Sequence, residues 1–206
     1  MGAFKFIGFA ILIICMAYIA SKVHLTYKDD HVSLNDANLN ADMFLKNARL
    51  FAKEGAYDRS LFHLQSAVKS LKNLELDVDV ESSEYVETAI EQLEDIEREL
   101  LTDSLKSDDM NAAFSNTMNI ISLAELRVSE KYADSNNHDM AIVALKYARL
   151  HIKNALDYPN LPNRKLEMHI YYELDSLIKS PEISPVEIDL KIDHMIQELD
   201  QLVSPS

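Results

Sequence analysis

Histidines and carboxylates at helical spacing are the residues of this chain that could do chemistry. The 206 residues include seven histidines, but no histidine follows a glutamate by three positions and no two histidines stand four apart. Metal sites in helical bundles rely on such spacings because they aim two ligands at one point. His169 with Glu173, and His194 with Glu198, are instead expected to form ion pairs on helix surfaces. The sequence therefore predicts no metal site and no cofactor.

An acidic stretch before the third predicted helix has the alternating pattern of a calcium-binding loop. Asp77, Asp79 and Glu81 match the first ligand positions of such a loop. Ser82 stands where the loop needs glycine, and Thr88 stands where it needs a bidentate glutamate. These two departures argue against calcium binding.

Signatures of nucleophilic catalysis are missing from the sequence. There is no Gly-x-Ser-x-Gly motif and no glycine-rich phosphate loop, and the single cysteine, Cys15, lies in the apolar N-terminal segment. The sequence therefore predicts a protein that is not an enzyme. The remaining alternative is an enzyme whose residues come from separate helices and leave no local motif.

The charge of the chain favours some partners and excludes others. A formal net charge of −14 argues against nucleic acid and against an anionic membrane surface. Twelve Asp or Glu and a single Arg98 fall between Glu75 and Asp103. This segment is either a solvated helix face or an electrostatic docking surface for a basic protein. The carboxylates predicted to contact such a partner are Glu84, Glu87, Glu91, Glu94 and Asp95.

Aromatic residues of the second half form another predicted contact set. Tyr147, His151, Tyr171 and Tyr172 can line a groove that receives a partner or a small molecule. Aromatic side chains at helical spacing also serve as packing in the core or at its rim, so both interpretations stay open.

The elements that must position these residues are helices. Three glycines and five prolines are few, and apolar residues recur with a period near 3.6 in every segment after residue 40. Helices are predicted at 41–54, 58–74, 83–106, 110–134, 138–156 and 163–178 and from 185 onwards. The fold class is therefore all-α. Heptad-like seams in the third and last helices leave a homo-oligomer possible.

Two segments 81 residues apart repeat each other. Aligning Asp58 with Asp139 pairs Leu64 with Leu145 and Ala67 with Ala148, and small residues at the last pair let antiparallel helices approach closely. The repeat predicts two related helical units, residues 41–107 and 108–206, which bury their apolar faces by stacking. The alternative is coincidence between two amphipathic helices.

The repeated hairpin resembles a tetratricopeptide repeat. The residues that carry the resemblance alternate large, small and aromatic side chains around a turn: Phe44, Ala48, Phe51, Gly55, Tyr57, Ser60, Leu64 and Ala67, then Val128, Ser129, Tyr132, Asn136, Ala141, Leu145 and Ala148. The spacing of 81 residues departs from the family's period of about 34. The segment from Ala144 to Ala148 also resembles the periplasmic YfdX-type helical proteins. Both resemblances imply antiparallel helical hairpins stacked as a bundle or short solenoid that serves as a binding scaffold.

The N-terminal segment is predicted to anchor the chain in a membrane. Residues 6–20 carry no charge and follow Lys5. These residues span only about 22 Å as a helix, but residues 4–21 together make a membrane span feasible. Residues 1–21 are therefore expected to form an anchor, with the bulk of the chain outside the cytoplasm, in the periplasm if the source is bacterial. A cleaved signal peptide and a buried helix are the alternatives, and residues 22–40 are expected to be a linker.

Together these features predict a membrane-tethered, non-catalytic helical-repeat scaffold. It would bind a basic, membrane- or envelope-associated protein through an acidic surface. The alternative is an extracytoplasmic helical bundle that binds a small molecule or an ion, as a stress or sensor protein does.

Overall fold

The computed structural model describes residues 40–76, 78–102, 104–159, 162–180 and 185–203. These residues form helices and no strand, which confirms the all-α prediction. The helices are α1 (40–53), α2 (Tyr57–Glu75), α3 (Val80–Leu101), α4 (Ser107–Asp134), α5 (His138–Ala155), α6 (Arg164–Lys179) and α7 (Pro185–Val203).

None of the described helices is both long enough and apolar enough to cross a membrane. The predicted anchor at residues 1–21, and all but the last residue of the predicted linker, lie outside the described residues. The two predicted helical units fall within one compact unit, Ala37–Ser206.

The largest difference between predicted and observed helices concerns α3. This helix begins three residues before the predicted start, because the Asp79 carboxylate caps it by accepting hydrogen bonds from the Ser82 N–H at 2.9 Å and the Ser82 hydroxyl at 2.8 Å. It ends five residues early at Leu101, where the Thr102 hydroxyl and N–H both donate to the Arg98 carbonyl. The end capping therefore shifts the whole helix toward the N-terminus.

Two turns 81 residues apart have the same backbone structure. Gly55, after α1, and Asn136, after α4, both adopt the left-handed conformation, with φ of 72° and 57°. The next residue in each turn, Ala56 or Asn137, donates its N–H to the carbonyl five residues back, at 2.9 and 2.8 Å. In this helix-ending motif, the left-handed residue and the next residue donate their N–H groups to two carbonyls of the last helical turn, which otherwise have no hydrogen-bond partner within the helix. The α1–α2 and α4–α5 hairpins are therefore built around equivalent turns.

A serine bridges the two helices of each hairpin, with the donor and acceptor exchanged. The Ser60 hydroxyl of α2 donates to the Ala48 carbonyl of α1 at 2.8 Å. In the second hairpin, the Ser129 hydroxyl of α4 donates to the Ala141 carbonyl of α5 at 3.0 Å. Ser60 corresponds to Ala141 and Ala48 to Ser129 across the 81-residue repeat. The close helix approach that the sequence predicts is thus held by one hydrogen bond in each hairpin.

Helix α4 lies at the centre of the described fold. It packs against α3, α5 and α7, and every residue from 117 to 126 is buried, so the helix has no solvent-facing side over that stretch. The apolar seams of α3 and α7 are also buried, with Val86, Leu93, Met195 and Leu199 fully inaccessible. These seams therefore pack within the chain.

Contacts also join helices that are distant in sequence. Lys46 of α1 donates to the Asn154 side chain of α5 at 2.6 Å. Arg127 of α4 lies 2.7 Å from Glu81 of α3 and 3.7 Å from Asp200 of α7. An open solenoid limits contacts to neighbouring repeats, so the additional contacts close the described helices into a bundle.

The left-handed turn residue provides a test of the hairpin. A Cβ atom added at Gly55 would meet no atom within 4 Å, so the penalty of Gly55→Ala comes from the backbone alone. We expect this variant to lower the free energy of unfolding by about 1 kcal/mol, measured by urea denaturation. Asn136→Gly makes the reverse change at the equivalent position of the second hairpin. Glycine adopts positive φ without steric strain, so this variant should have a free energy of unfolding equal to or higher than that of the parent. Equal stability of Gly55→Ala and the parent would contradict the assignment.

Candidate functional site

Three exposed glutamates of α3 share one helix face. Glu84, Glu87 and Glu91 recur at intervals of three and four residues, which places them in a row on the outer surface. Among the described residues, no lysine or arginine forms an ion pair with any of them. We call these three residues the acidic stripe.

Two other predicted contact residues on α3 already have partners. Glu94 is half-buried and accepts a hydrogen bond from Lys72 of α2 at 2.8 Å, and Asp95 pairs with Arg98 on its own helix. A protein partner would have to compete with these ion pairs, so Glu94 and Asp95 are weaker contact candidates than the acidic stripe.

The aromatic set predicted from the sequence divides by exposure. Tyr172 is 61% exposed, while Tyr147 and Tyr171 are half-buried. The rings of Tyr171 and Tyr172 meet edge to face, with centroids 5.5 Å apart. His151 has no exposed surface and lies instead in the core, where it cannot touch a partner.

A cluster of buried polar side chains connects α1, α4 and α5. Its members, which we call the α1–α5 polar cluster, are Asp42, Glu125, His151 and Asn154. The Asp42 carboxylate lies 2.9 Å from Nδ1 of His151 and accepts a hydrogen bond from the Asn154 side chain. A buried carboxylate needs such partners because isolated charge is costly in the core. The cluster thus attaches α1 to α5.

The charge state of His151 is set by two opposing effects. Burial by itself lowers the pKa of His151, but the Asp42 carboxylate and, as the smaller contribution, that of Glu125 raise it above the ordinary value. The Asp42 carboxylate therefore stabilises the protonated form of the His151 imidazole. Sequence reasoning missed this role because Asp42 is 109 residues away from His151.

An open groove lies beside the polar cluster. It has a volume of about 270 Å³ and is lined by Lys46, Arg49, Leu50, Lys53, Asp157 and Tyr158. The Arg49 guanidinium lies 4.9 Å from the centre of the Tyr158 ring. Tyr158 is buried, and burial together with the nearby Asp42 charge raises its pKa far above the ordinary value. The lining offers three cationic side chains on an otherwise acidic protein.

Helices α6 and α7 bring histidines and glutamates together. Nε2 of His169 lies 3.9 Å from Oε1 of Glu173 on the same helix and 3.7 Å from Oε1 of Glu198 on α7. Nδ1 of His194 lies 3.8 Å from the other oxygen of Glu198. The sequence predicts two separate pairs, His169 with Glu173 and His194 with Glu198. In the structure both histidines lie close to Glu198, so the two pairs form one cluster.

A carboxyl pair lies between α4 and α7. Burial, a hydrogen bond to Asp193 and the charges of Asp193, Asp134 and Asp189 raise the pKa of Glu130 to about 7. One proton is shared between two carboxyl groups in such a pair. This contact loses its proton when the pH rises above neutrality.

Comparisons with protein-family models, with curated proteins and with solved structures find no match to this chain.

The α1–α5 polar cluster predicts a large stability effect. His151→Gln leaves Asp42 and Glu125 buried without the imidazolium, so we expect the free energy of unfolding to fall by about 3 kcal/mol. The His151 contribution is fully present below pH 6.5 and is lost as the pH rises through its raised pKa. The difference in the free energy of unfolding between the parent and His151→Gln should therefore be smaller at pH 9 than at pH 6, as measured by urea denaturation at both pH values.

Two further variants separate this account from a general loss of packing. Adding Asp42→Asn to His151→Gln should recover part of the loss, because the buried negative charge is removed as well. The exposed residue His138 serves as the control, and His138→Gln should have little effect at either pH. A loss for His151→Gln that does not change with pH would contradict the charged pair.

The Glu130 carboxyl group predicts a separate pH dependence. A pKa raised from 4.5 to about 7 contributes stability below pH 4.5 that is lost as the pH rises through 7. Glu130→Gln should therefore raise the melting temperature at pH 8 relative to the parent and give no such gain at pH 4.5. Glu54→Gln, at an exposed position, is the control. An equal shift at both pH values would show that Glu130 carries no shared proton.

Proposed function

We propose that this chain is a non-catalytic helical scaffold that binds a basic protein through the acidic stripe of α3. The observation that carries the proposal is that Glu84, Glu87 and Glu91 share one exposed face and, among the described residues, form no ion pair with a lysine or arginine. Concentrated negative charge of this kind attracts a positively charged partner and speeds its association.

The dimensions of the acidic stripe define the partner's chemistry. Glu84 and Glu91 are seven residues apart, which corresponds to about 10 Å along the helix. A partner helix with Lys or Arg at positions seven residues apart, two turns along the helix, would match this spacing. Glu94 and Asp95 would flank the contact, and Tyr172 provides a separate exposed aromatic side chain.

The paired hairpins support a scaffold role. The α1–α2 and α4–α5 hairpins share the turn conformation at Gly55 and Asn136 and the interhelical serine bridge. We propose on this basis that the hairpins form a tetratricopeptide-like scaffold, modified by the contacts between α1 and α5 and between α4 and α7. The resemblance to YfdX-type proteins stays a prediction.

A membrane tether would give the scaffold its location. We propose that residues 1–21 anchor the chain and that the helical bundle lies outside the cytoplasm, close to a membrane- or envelope-associated partner. Tethering raises the effective concentration of two binding surfaces held in the same layer. A modest electrostatic affinity would then be sufficient for stable association.

The placement of the ionisable side chains supports a non-catalytic role. Among the described residues, His151 and Asp42 form a buried pair of imidazole and carboxylate. Both side chains are shielded from solvent in the packed helices. A general acid or base must come within hydrogen-bond reach of a substrate. This pair is better placed to hold helices together than to meet a substrate.

Removing the charge of the acidic stripe tests the proposal. The variant Glu84→Gln, Glu87→Gln, Glu91→Gln should lower recovery of a basic partner about tenfold when the full-length chain captures proteins from membranes of its source at low salt. Raising the salt concentration should release the same partner from the parent protein, because screening weakens exposed charges.

The control carries the same change in net charge at other exposed positions. This control variant combines Glu54→Gln, Asp108→Asn and Asp139→Asn. Glu54 lies in the α1–α2 turn, Asp108 in α4 and Asp139 in α5, and all three side chains are exposed. This control should capture the partner as the parent does, and circular dichroism should show both variants folded. Equal capture by all three proteins would contradict the role of the acidic stripe.

A second candidate function follows from the groove beside the polar cluster. Lys46, Arg49 and Lys53 favour an anionic small molecule there, although Lys46 is already 3.4 Å from Asp157. Native mass spectrometry of the purified chain would reveal such a molecule. The double variant Lys46→Gln, Lys53→Gln would then be compared with the parent. Loss of the bound small molecule, with unchanged capture of a basic protein partner, would favour this function.

A further inference from the structure

The cluster between α6 and α7 has the donors of a transition-metal site. The nearest nitrogen or oxygen atoms of His169, Glu173 and Glu198 all lie within 4.8 Å of one another. Imidazole nitrogen together with carboxylate oxygen suits Zn²⁺ and neighbouring divalent metals, whereas Mg²⁺ and Ca²⁺ prefer oxygen alone.

The distances in this cluster fit a metal better than hydrogen bonds. The separations of 3.7 and 3.9 Å from Nε2 of His169 to the two carboxylates exceed the 2.7–3.2 Å range of N–H···O bonds. In a tetrahedral zinc site with ligand bonds of about 2.0–2.1 Å, neighbouring ligand atoms lie roughly 3.3 Å apart. Forming the site would therefore need a contraction of about half an ångström at His169 and of at most about 1.5 Å between the carboxylates of Glu173 and Glu198.

Glu198 provides an independent indication. Its Oε2 atom is buried and has no hydrogen-bond partner among the described residues, and Nδ1 of His194 lies 3.8 Å from this atom, beyond hydrogen-bond range. A buried carboxylate oxygen without a hydrogen bond is costly, and a metal ion on the same carboxylate would compensate that cost.

We propose that His169, Glu173 and Glu198 bind a divalent transition metal of the zinc type, with water as the fourth ligand. The i,i+4 spacing on α6 gives two ligands from one face, and α7 supplies the third. His169 is 51% exposed and Glu198 is 20% exposed at the side chain, so the ion can enter from solvent. The bound metal fastens α7 to α6. This inference does not depend on the acidic stripe or its partner.

Zinc titration of the untagged, metal-free full-length chain tests the site. Calorimetry at pH 7.5 should show one Zn²⁺ bound with micromolar or tighter affinity, and Co²⁺ should give the visible absorption of a tetrahedral complex. His169→Asn and Glu198→Gln should each weaken Zn²⁺ binding at least tenfold. Saturating Zn²⁺ should raise the melting temperature of the parent but not of Glu198→Gln.

The control is His138→Asn, which changes an exposed histidine of α5. It should bind Zn²⁺ as the parent does, and circular dichroism should show that all variants are folded. Binding weaker than about 1 mM would overturn the proposal. So would an affinity that is unchanged by His169→Asn and Glu198→Gln, since binding would then occur at other side chains.

Discussion

The satisfaction of buried polar groups on α4 is the constraint on which the described structure depends. A polar side chain on a helix that is covered over ten consecutive residues is costly unless another group of the protein forms a hydrogen bond with it. Asn119 Oδ1 has no partner among the described residues, but other polar groups on α4 do. Ser115 and Asn119 both donate to the buried carboxylate of Glu167 on α6, at 3.1 and 2.9 Å. Ser122 donates to the Ala148 carbonyl of α5 at 3.0 Å. Each bond fixes the position of a neighbouring helix relative to α4.

This central arrangement explains why the outer helices differ in character. Helix α3 buries only one stripe against α2 and α4, so its remaining surface is free to carry uncompensated charge. Helix α1 is held at α5 by buried charge instead, through Asp42 and His151. The same chain thus uses charge in two ways: paired and buried where helices must be attached, and unpaired and exposed where a partner is proposed.

Local features of the structure were predictable from the sequence, and features that depend on distant packing were not. Gly55 and Asn136 were placed at the turns of the two repeat copies from the sequence, and the structure has a left-handed residue at both, a conformation that glycine tolerates. The meeting of Asp42 with His151 depends on how α1 packs on α5, which no local pattern records. For the same reason, the approach of Glu198 to His169 appears only once α6 and α7 are placed together.

Zero-length carbodiimide cross-linking in native membranes is the sharpest test of the proposed contact at the acidic stripe, because it joins carboxylates to lysines only where they are in contact. We expect Glu84, Glu87 or Glu91 to become joined to lysines of another protein, and high salt during the reaction to abolish these products. Cross-links confined to carboxylates on other helices, with none from the outer face of α3, would contradict this contact.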